Sequence, residues 1–210
     1  FSGLDGAGKS TQIQLLMETL EQRGKKPVFL WTRVGYTPFF SACKTFLRKI
    51  MMKKLPPPGR SEKREKAFKK VWVRNLWLVL SILDLIFVYS VYVRVSKILG
   101  RIIVADRYLW DTWIDLFLGF PETCVDQWII WKILERVTPK PDLTFLLLIP
   151  VEEALIRSRK KNEPFPDSEN ILRKRSNLYA KISFDGKCVV PDCLQPIEVI
   201  QKEIIRNVYI

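Results

Sequence analysis

Eight residues near the start of the chain have the types and spacing of a phosphate-binding loop. Residues 3–10 read GLDGAGKS and match the pattern G-x-x-x-x-G-K-[ST]. Glycines let the backbone turn so that several N–H groups point at one anion. Lys9 can reach the β- and γ-phosphates of a nucleotide, and the Ser10 hydroxyl can ligate Mg²⁺. The pattern predicts a nucleotide site, and a glycine-rich turn without a ligand is the alternative.

The segment after this loop has the pattern of an amphipathic helix over 11–23. Ile13, Leu16 and Leu20 fall on one face, and Gly24 stands where a C-terminal cap belongs. The N-terminus of such a helix adds a dipole that favours bound phosphate. The loop is therefore predicted to lie between a strand and a helix, with Phe1 and Ser2 ending a strand whose first residues precede the chain as given.

Short runs of β-forming residues alternate with helical patterns along the rest of the chain. The runs are Val28–Thr32, Ile102–Asp106, Leu143–Ile149 and Cys188–Val190. The helical patterns cover 69–98, 124–137, 151–161, 169–182 and a last helix that opens at Pro196. This alternation predicts an α/β fold, a doubly wound parallel sheet flanked by helices. Ligands of such sheets bind at the carboxyl ends of the strands, which puts Lys9, Arg33 and Asp106 at one edge.

Composition and charge narrow the class of protein. The chain has 210 residues, no histidine and a net charge of +13, so histidine catalysis is excluded and one domain is expected. The four cysteines have no zinc-site spacing, which favours reduced thiols in a cytoplasmic protein. Residues 44–70 hold eleven Lys or Arg against two Glu. We interpret this stretch as a solvated charged face, with attraction of an acidic substrate, an anionic membrane or nucleic acid as alternatives; its few aromatic residues argue against nucleic acid.

Residues 76–93 form an apolar segment almost long enough to cross a bilayer. Asp84 lies in its middle, and a crossing would separate the two phosphate-site motifs on either side of it. The segment is therefore predicted to be a buried helix that packs on the sheet and against a second subunit. Shallow attachment to a membrane is the alternative, which we do not expect.

A second group of chemically capable residues follows the predicted strand at residues 102–106. Asp106 ends this strand, where a carboxylate can hold Mg²⁺ opposite Ser10. Arg107 comes next and offers a planar fork that suits phosphate. Taken alone, these two residues would be better explained as a structural ion pair, but together with the phosphate loop they indicate phosphoryl chemistry.

Several motifs together make the chain resemble the thymidylate kinase family. They are FSGLDGAGKSTQ at 1–12, Thr32-Arg33 after the second strand, Asp106-Arg107-Tyr108, PDLT at 141–144 with PVEEAL at 150–155, and Val189-Val190 with the final helix. The resemblance spans most of the chain except residues 38–75. It implies a P-loop kinase that transfers the γ-phosphoryl group of ATP·Mg²⁺ to a nucleoside monophosphate, with thymidylate as the default acceptor.

The resemblance also assigns roles to individual residues. Lys9 and the loop amides would hold the donor phosphates, Arg33 and Arg107 the acceptor phosphate, and Asp5 a sugar hydroxyl. Ser10 and Asp106 would hold Mg²⁺. The loop residues expected to contact the donor are Gly3, Asp5, Gly6, Ala7, Gly8, Lys9, Ser10 and Thr11. The same likeness implies a cytoplasmic homodimer in nucleotide biosynthesis, acting on small-molecule nucleotides rather than nucleic acid. It implies one domain over 1–210, with a basic insertion at 38–70 and a lid at 157–172.

Family members with this loop sequence usually supply a catalytic arginine from the lid. Arg157, Arg159 and Arg173 are the candidates here, and a solvated basic helix end is the alternative for each. The acceptor pocket departs from the family pattern because Val34 replaces a glutamate and Leu85 stands where an arginine meets the base.

Two further acids, Asp111 and Asp115, are spaced one helical turn apart. They are predicted either to bind hydroxyls or amines of an acceptor or to form a polar helix face. These departures leave two other functions open, namely a kinase of a sugar or lipid-linked alcohol and a nucleotide-binding protein without catalysis.

Overall fold

The computed structural model describes residues 1–35, 37, 40, 66–161, 167–182 and 186–208. The predicted basic insertion at 38–70 therefore lies largely outside the described residues. So does part of the predicted lid, at residues 162–166.

Strands and helices alternate along the chain as the sequence predicts. The strands are β1 (Ser2–Gly3), β2 (Pro27–Trp31), β3 (Ile102–Asp106), β4 (Leu143–Leu147) and β5 (Lys187–Val189). The α-helices are α1 (Lys9–Gln22), α2 (Val71–Phe87), α3 (Val93–Ile98), α4 (Leu109–Gly119), α5 (Ile129–Val137), α6 (Val151–Lys160), α7 (Glu169–Lys181) and α8 (Ile197–Val208). A π-helical turn, Val88–Tyr92, joins α2 to α3, and short 3₁₀ turns at Pro121–Thr123 and Val125–Gln127 precede α5.

The strands run parallel, and their hydrogen bonds define the order in which they lie side by side. Ladder hydrogen bonds join β1 to β4 and β4 to β5, and another ladder joins β2 to β3. Phe1 connects the two groups, because its nitrogen lies 2.8 Å from the Ala105 oxygen and its oxygen 3.0 Å from the Arg107 nitrogen. The order is therefore β2-β3-β1-β4-β5. The predicted parallel sheet flanked by helices is confirmed, and β1 and β3 end side by side.

Two clusters of buried apolar side chains hold the helices on the sheet. The first joins α1, α8 and the central strands through residues such as Leu20, Leu147 and Ile204, which are completely buried. The second joins α2 and α5 to β2 through residues such as Ile82 and Trp131, also completely buried. Because burial of apolar side chains is the main stabilising term in folding, these clusters fix the strand ends that carry the site.

The long apolar helix is only half buried, so the prediction of a buried helix at 76–93 was partly wrong. Ile82 and Leu85 are completely buried, whereas Leu83 and Phe87 are 48% and 50% exposed. In the described part of the chain, Val71–Ile98 is the one helix long and apolar enough to span a membrane, and 39% of its most apolar window is buried. Since the helix is apolar on nearly every face, no polar stripe in its sequence marks the exposed side.

The backbone at Gly3 leads to a prediction about stability. Gly3 has φ +136°, and a Cβ there would lie 1.9 Å from the Leu147 oxygen. We expect Gly3→Ala to lower the free energy of unfolding by more than about 4 kcal/mol, because β1 must separate from β4. Gly24→Ala is the matched control, since Gly24 also has positive φ but nothing lies within 4 Å of its added Cβ. It should cost about 1–2 kcal/mol. Denaturant unfolding of both variants checks this, and equal losses would contradict it.

Candidate active site

The phosphate-binding loop follows β1 and enters α1 at Lys9. Leu4 and Ala7 are buried and anchor the loop in the core, while Gly6 and Gly8 make its turns with φ +82° and +88°. Among the described residues, no side chain caps the start of α1 and no acid lies in its first turn. The first N–H groups of this helix are therefore available to an anion.

The ammonium group of Lys9 lies inside the loop. Its Nζ donates to the oxygens of Gly3 at 3.0 Å and Leu4 at 2.7 Å, and it lies 3.7 Å from Asp5 Oδ1. Burial lowers the pKa of Lys9, and the positive charge of Arg107 lowers it further. Asp5 opposes this shift. The loop thus holds a buried positive charge.

Arg107 reaches the same loop from the end of β3. Its side chain donates to Asp5 Oδ1 in a partly buried ion pair. The residue has φ 70°, which is uncommon outside glycine, and its oxygen accepts from the Thr32 hydroxyl at 3.0 Å. Burial alone would raise the pKa of Asp5, but Arg107 and then Lys9 lower it below the ordinary value. Asp5 therefore stays ionised between two cations.

A second carboxylate, Asp115 of α4, gathers three arginines. Arg175 Nη1 donates to Asp115 Oδ1 at 2.6 Å, Arg33 Nε lies 3.5 Å from Oδ2, and Arg107 Nη1 lies 3.9 Å from Oδ1. We call Asp115 with Arg33, Arg107 and Arg175 the arginine cluster. It brings together the two arginines that the sequence predicts for an acceptor phosphate.

Sequence reasoning missed Arg175, which is 4% exposed. Leu172 and Tyr179 are also buried and lie three residues before it and four after it, on the same face of α7. An arginine on the apolar face of a helix needs a partner inside the protein. This spacing was the signal that could have identified it.

The two acids of α4 have different partners, and neither lies on a solvated face. Asp111 is 1% exposed and accepts hydrogen bonds from the hydroxyls of Ser2 and Tyr179, each at 2.6 Å. It also accepts from the Tyr108 nitrogen at 3.1 Å. Asp111 thus joins β1, α4 and α7, whereas Asp115 faces the arginines. The pair therefore forms a polar face of α4 that is buried and paired within the protein.

Asp106 ends β3 with unused hydrogen-bonding capacity. The residue is 9% exposed, and its Oδ1 is buried with no hydrogen-bond partner among the described residues. Its negative charge acts on Lys9 and raises the pKa of that group, against the larger effect of burial. The described residues hold no group of three side chains that could bind a metal by themselves. The buried Oδ1 of Asp106 is an oxygen ligand of the kind that Mg²⁺ prefers, so this residue fits a site that would hold the ion.

Of the arginines near the predicted lid, Arg157 contacts the loop. Its Nη1 lies 3.4 Å from the Gly6 oxygen, and its Nε donates to Glu153 at 2.7 Å. Arg173 pairs with Glu152 and Glu169 on the surface. Arg159 is exposed on α6.

The side of the site next to α2 and the π-helical turn holds apolar, phenolic and carboxylate groups. Leu85 is completely buried in the second core cluster and offers no polar contact. Tyr89 is also buried, its hydroxyl lies 2.8 Å from that of Thr32, and its ring lies 4.5 Å from that of Tyr108. Burial raises the pKa of Tyr89 to about 12, so the phenol is neutral. Asp84 accepts a hydrogen bond from Thr37.

Comparisons with known proteins point to one family. The family model described as thymidylate kinase matches residues 82–204. A probable thymidylate kinase 1 of Saccharolobus solfataricus is 31% identical, over 96% of this chain and 95% of its own length. A probable thymidylate kinase of Thermococcus kodakarensis is 28% identical over 97% and 92%. A thymidylate kinase of Desulfotalea psychrophila is 28% identical over 99% and 92%.

Proposed function

Because the chain belongs to the thymidylate kinase family, we propose that it transfers the γ-phosphoryl group of ATP to a nucleoside monophosphate, with thymidylate as the default acceptor. The observation that carries this proposal is the position of Asp5 between Lys9 and Arg107. One cation belongs to the phosphate-binding loop and the other to the end of β3. A donor phosphate at the first and an acceptor phosphate at the second would meet at this point.

We assign roles to the residues of the loop and the arginine cluster on this basis. Lys9 and the N–H groups of the loop bind the donor phosphates, while Arg33 and Arg107 bind the acceptor phosphate. The other loop residues assigned to the donor are Gly3, Asp5, Gly6, Ala7, Gly8, Ser10 and Thr11. Phosphoryl transfer needs alignment and neutralisation of charge more than covalent catalysis, and fixed cations supply both.

Arg157 is the arginine from the predicted lid that we assign to the reaction. Its contact with the Gly6 oxygen places a guanidinium beside the loop, and its pairing with Glu153 orients that group. Arg159 is a second candidate on the same helix. The surface ion pairs of Arg173 support a structural role for that residue.

Ser10 and Asp106 are the residues that would hold Mg²⁺. The ion neutralises charge on the phosphates when bound. We expect Asp106→Asn to lower kcat/KM by about 10–100-fold and to raise the Mg²⁺ concentration needed for half-maximal rate, since a neutral amide is a weaker ligand. A magnesium titration of initial rates measures this. Asp126→Asn, at an exposed acid remote from the site, is the control. An unchanged magnesium requirement in Asp106→Asn would contradict the assignment.

The proposed function is tested with ATP, Mg²⁺ and a panel of nucleoside monophosphates, with ADP release as the readout. We expect release with thymidylate above the rate without acceptor. Release with another monophosphate instead would support the proposed kinase activity but with a different acceptor. ATP binding with no release on any monophosphate would overturn the proposal in favour of another acceptor class or a non-catalytic role.

We also propose that the protein acts in the cytoplasm as a homodimer, which forms through the exposed face of α2 and α3. Exposed apolar side chains follow this face at helical spacing: Trp72, Leu76, Leu80, Leu83, Phe87, Val91, Val95 and Ile98. From Trp72 to Val91 the exposed large side chains carry no charge, over a length of about 30 Å. A face of this kind indicates an interface, since soluble monomers rarely expose a long apolar patch.

Replacement of Leu83 and Phe87 by glutamate should convert this dimer to a monomer, because two copies would bury four unpaired charges. Size-exclusion chromatography with light scattering measures the change. Leu194→Glu is the control, since Leu194 is 57% exposed on another part of the surface. A monomeric wild type that floats with anionic vesicles would instead show that a membrane covers this face.

A further inference from the structure

We propose that Asp115 and Arg175 form a positioning unit that holds Arg33 and Arg107 for the acceptor phosphate. This inference rests on the proposed function, because it takes these two arginines as the acceptor-phosphate ligands. Neither Asp115 nor Arg175 touches the phosphate in this scheme. Both act through the arginines that they orient.

The first support is the position of Asp115 among the three guanidinium groups. Its side chain is 13% exposed, and its two oxygens face different guanidinium groups. Oδ1 accepts from Arg175 and faces Arg107, while Oδ2 faces Arg33 Nε. Arg33 is 44% exposed and belongs to the loop after β2. Among the described residues, its ion pair with Asp115 restricts the motion of this long side chain.

The second support is the unused donor on Arg107. Nη2 is paired with Asp5, but Nη1 is buried and forms no hydrogen bond with the described residues. A buried guanidinium N–H without an acceptor is costly unless a ligand supplies one. At 3.9 Å, Asp115 attracts this nitrogen without forming a hydrogen bond to it. The donor is thus held in place and left available for an anion.

The third support is the burial of Arg175, which no surface role explains. Its Nη1 binds Asp115 and its Nη2 lies 3.4 Å from Asp167 Oδ2, where Asp167 is 10% exposed. Arg175 thereby fixes Asp115 from α7, through the same Oδ1 that faces Arg107. Asp5 and Asp167 pair with Arg107 and Arg175 in turn, so each arginine of the cluster has a carboxylate partner.

The test compares Asp115→Asn and Arg175→Gln with wild type in steady-state kinetics with thymidylate. We expect each variant to raise KM for the acceptor by about tenfold or more, while KM for ATP changes less than about twofold. Asp115→Glu keeps the carboxylate and should return the acceptor KM to within about threefold of wild type. Asp142→Asn, which removes an exposed ion pair with Lys97, is the matched control and should change neither constant.

The melting temperature and the two KM values together separate a positioning role from a structural one. If Asp115→Asn and Arg175→Gln lower the melting temperature but leave the acceptor KM unchanged, the inference is overturned. Equal rises in both KM values would overturn it as well.

Failure of the proposed function is distinguished by a second measurement, the titration of inorganic phosphate into protein saturated with Mg²⁺ and a non-hydrolysable ATP analogue. If no monophosphate is turned over, weaker phosphate binding by Asp115→Asn than by wild type still supports the positioning unit. Equal binding overturns it.

Discussion

Lys9→Ala is expected to lower kcat by about 10²–10³-fold, the loss typical of removing one preorganised electrostatic group from a site of charge transfer. Lys9 lies almost completely buried inside the loop, so its charge acts in a medium of low dielectric constant. Its Nζ donates to two loop oxygens, which hold it beside Asp5. A phosphate that replaces these oxygens as acceptor would bring the ammonium to the transferring group. Initial rates of ADP release at saturating ATP and thymidylate measure the effect.

Two further variants separate catalysis from folding in this prediction. Lys9→Met keeps most of the apolar stem and should lose activity as Lys9→Ala does, with a smaller change in melting temperature. Lys25→Ala removes an exposed lysine just beyond α1 and should retain the wild-type rate. Residual activity of Lys9→Ala above a tenth of wild type would show that the loop does not hold the transferring phosphate as we assign it.

The features of this fold that could be predicted from the sequence are those that depend on residues close together in the chain. The strands β2 and β3 and the turn at Gly8 have local signals, namely short β-forming runs and a glycine-rich motif before a helix. The edge of the sheet that holds Lys9 and Arg107 follows from parallel strands, whose carboxyl ends lie together. The local structures that these patterns favour are present in the folded protein because the tertiary contacts favour the same structures.

The features that escaped prediction depend on contacts between distant segments. The spacing of Asp111 and Asp115 did not indicate the partners of Asp111, which are Ser2 and Tyr179, 109 positions before and 68 positions after it. Arg175 and Asp115 are separated by 60 positions. No local pattern in the sequence indicates which carboxylate a buried arginine will pair with. The choice among the arginines near the lid was open for the same reason, since only packing of α6 against the loop brings Arg157 to Gly6.

Arg107 is the residue whose replacement should most weaken use of the acceptor. Arg107→Met is expected to lower kcat/KM for thymidylate by about 10²–10³-fold, since it removes a charge-assisted donor from both the ground state and the transition state. Arg107→Lys keeps the charge but loses the planar fork that pairs with Asp5 through one nitrogen and leaves Nη1 for a ligand. It should recover at most about a tenth of the wild-type value. Steady-state kinetics with thymidylate varied at saturating ATP measure both variants.

The pH dependence of stability distinguishes a damaged site from a damaged fold in Arg107→Met. Arg107 and Lys9 hold the pKa of Asp5 below its ordinary value despite burial, so the ionised pair stabilises the wild type at neutral pH. That contribution is lost as the pH falls through the pKa of Asp5 in the folded state. The melting temperatures of wild type and variant should therefore differ most near neutral pH and converge toward acid pH. A constant difference would place the destabilisation in packing around Arg107, and the loss of activity could then not be assigned to the missing guanidinium.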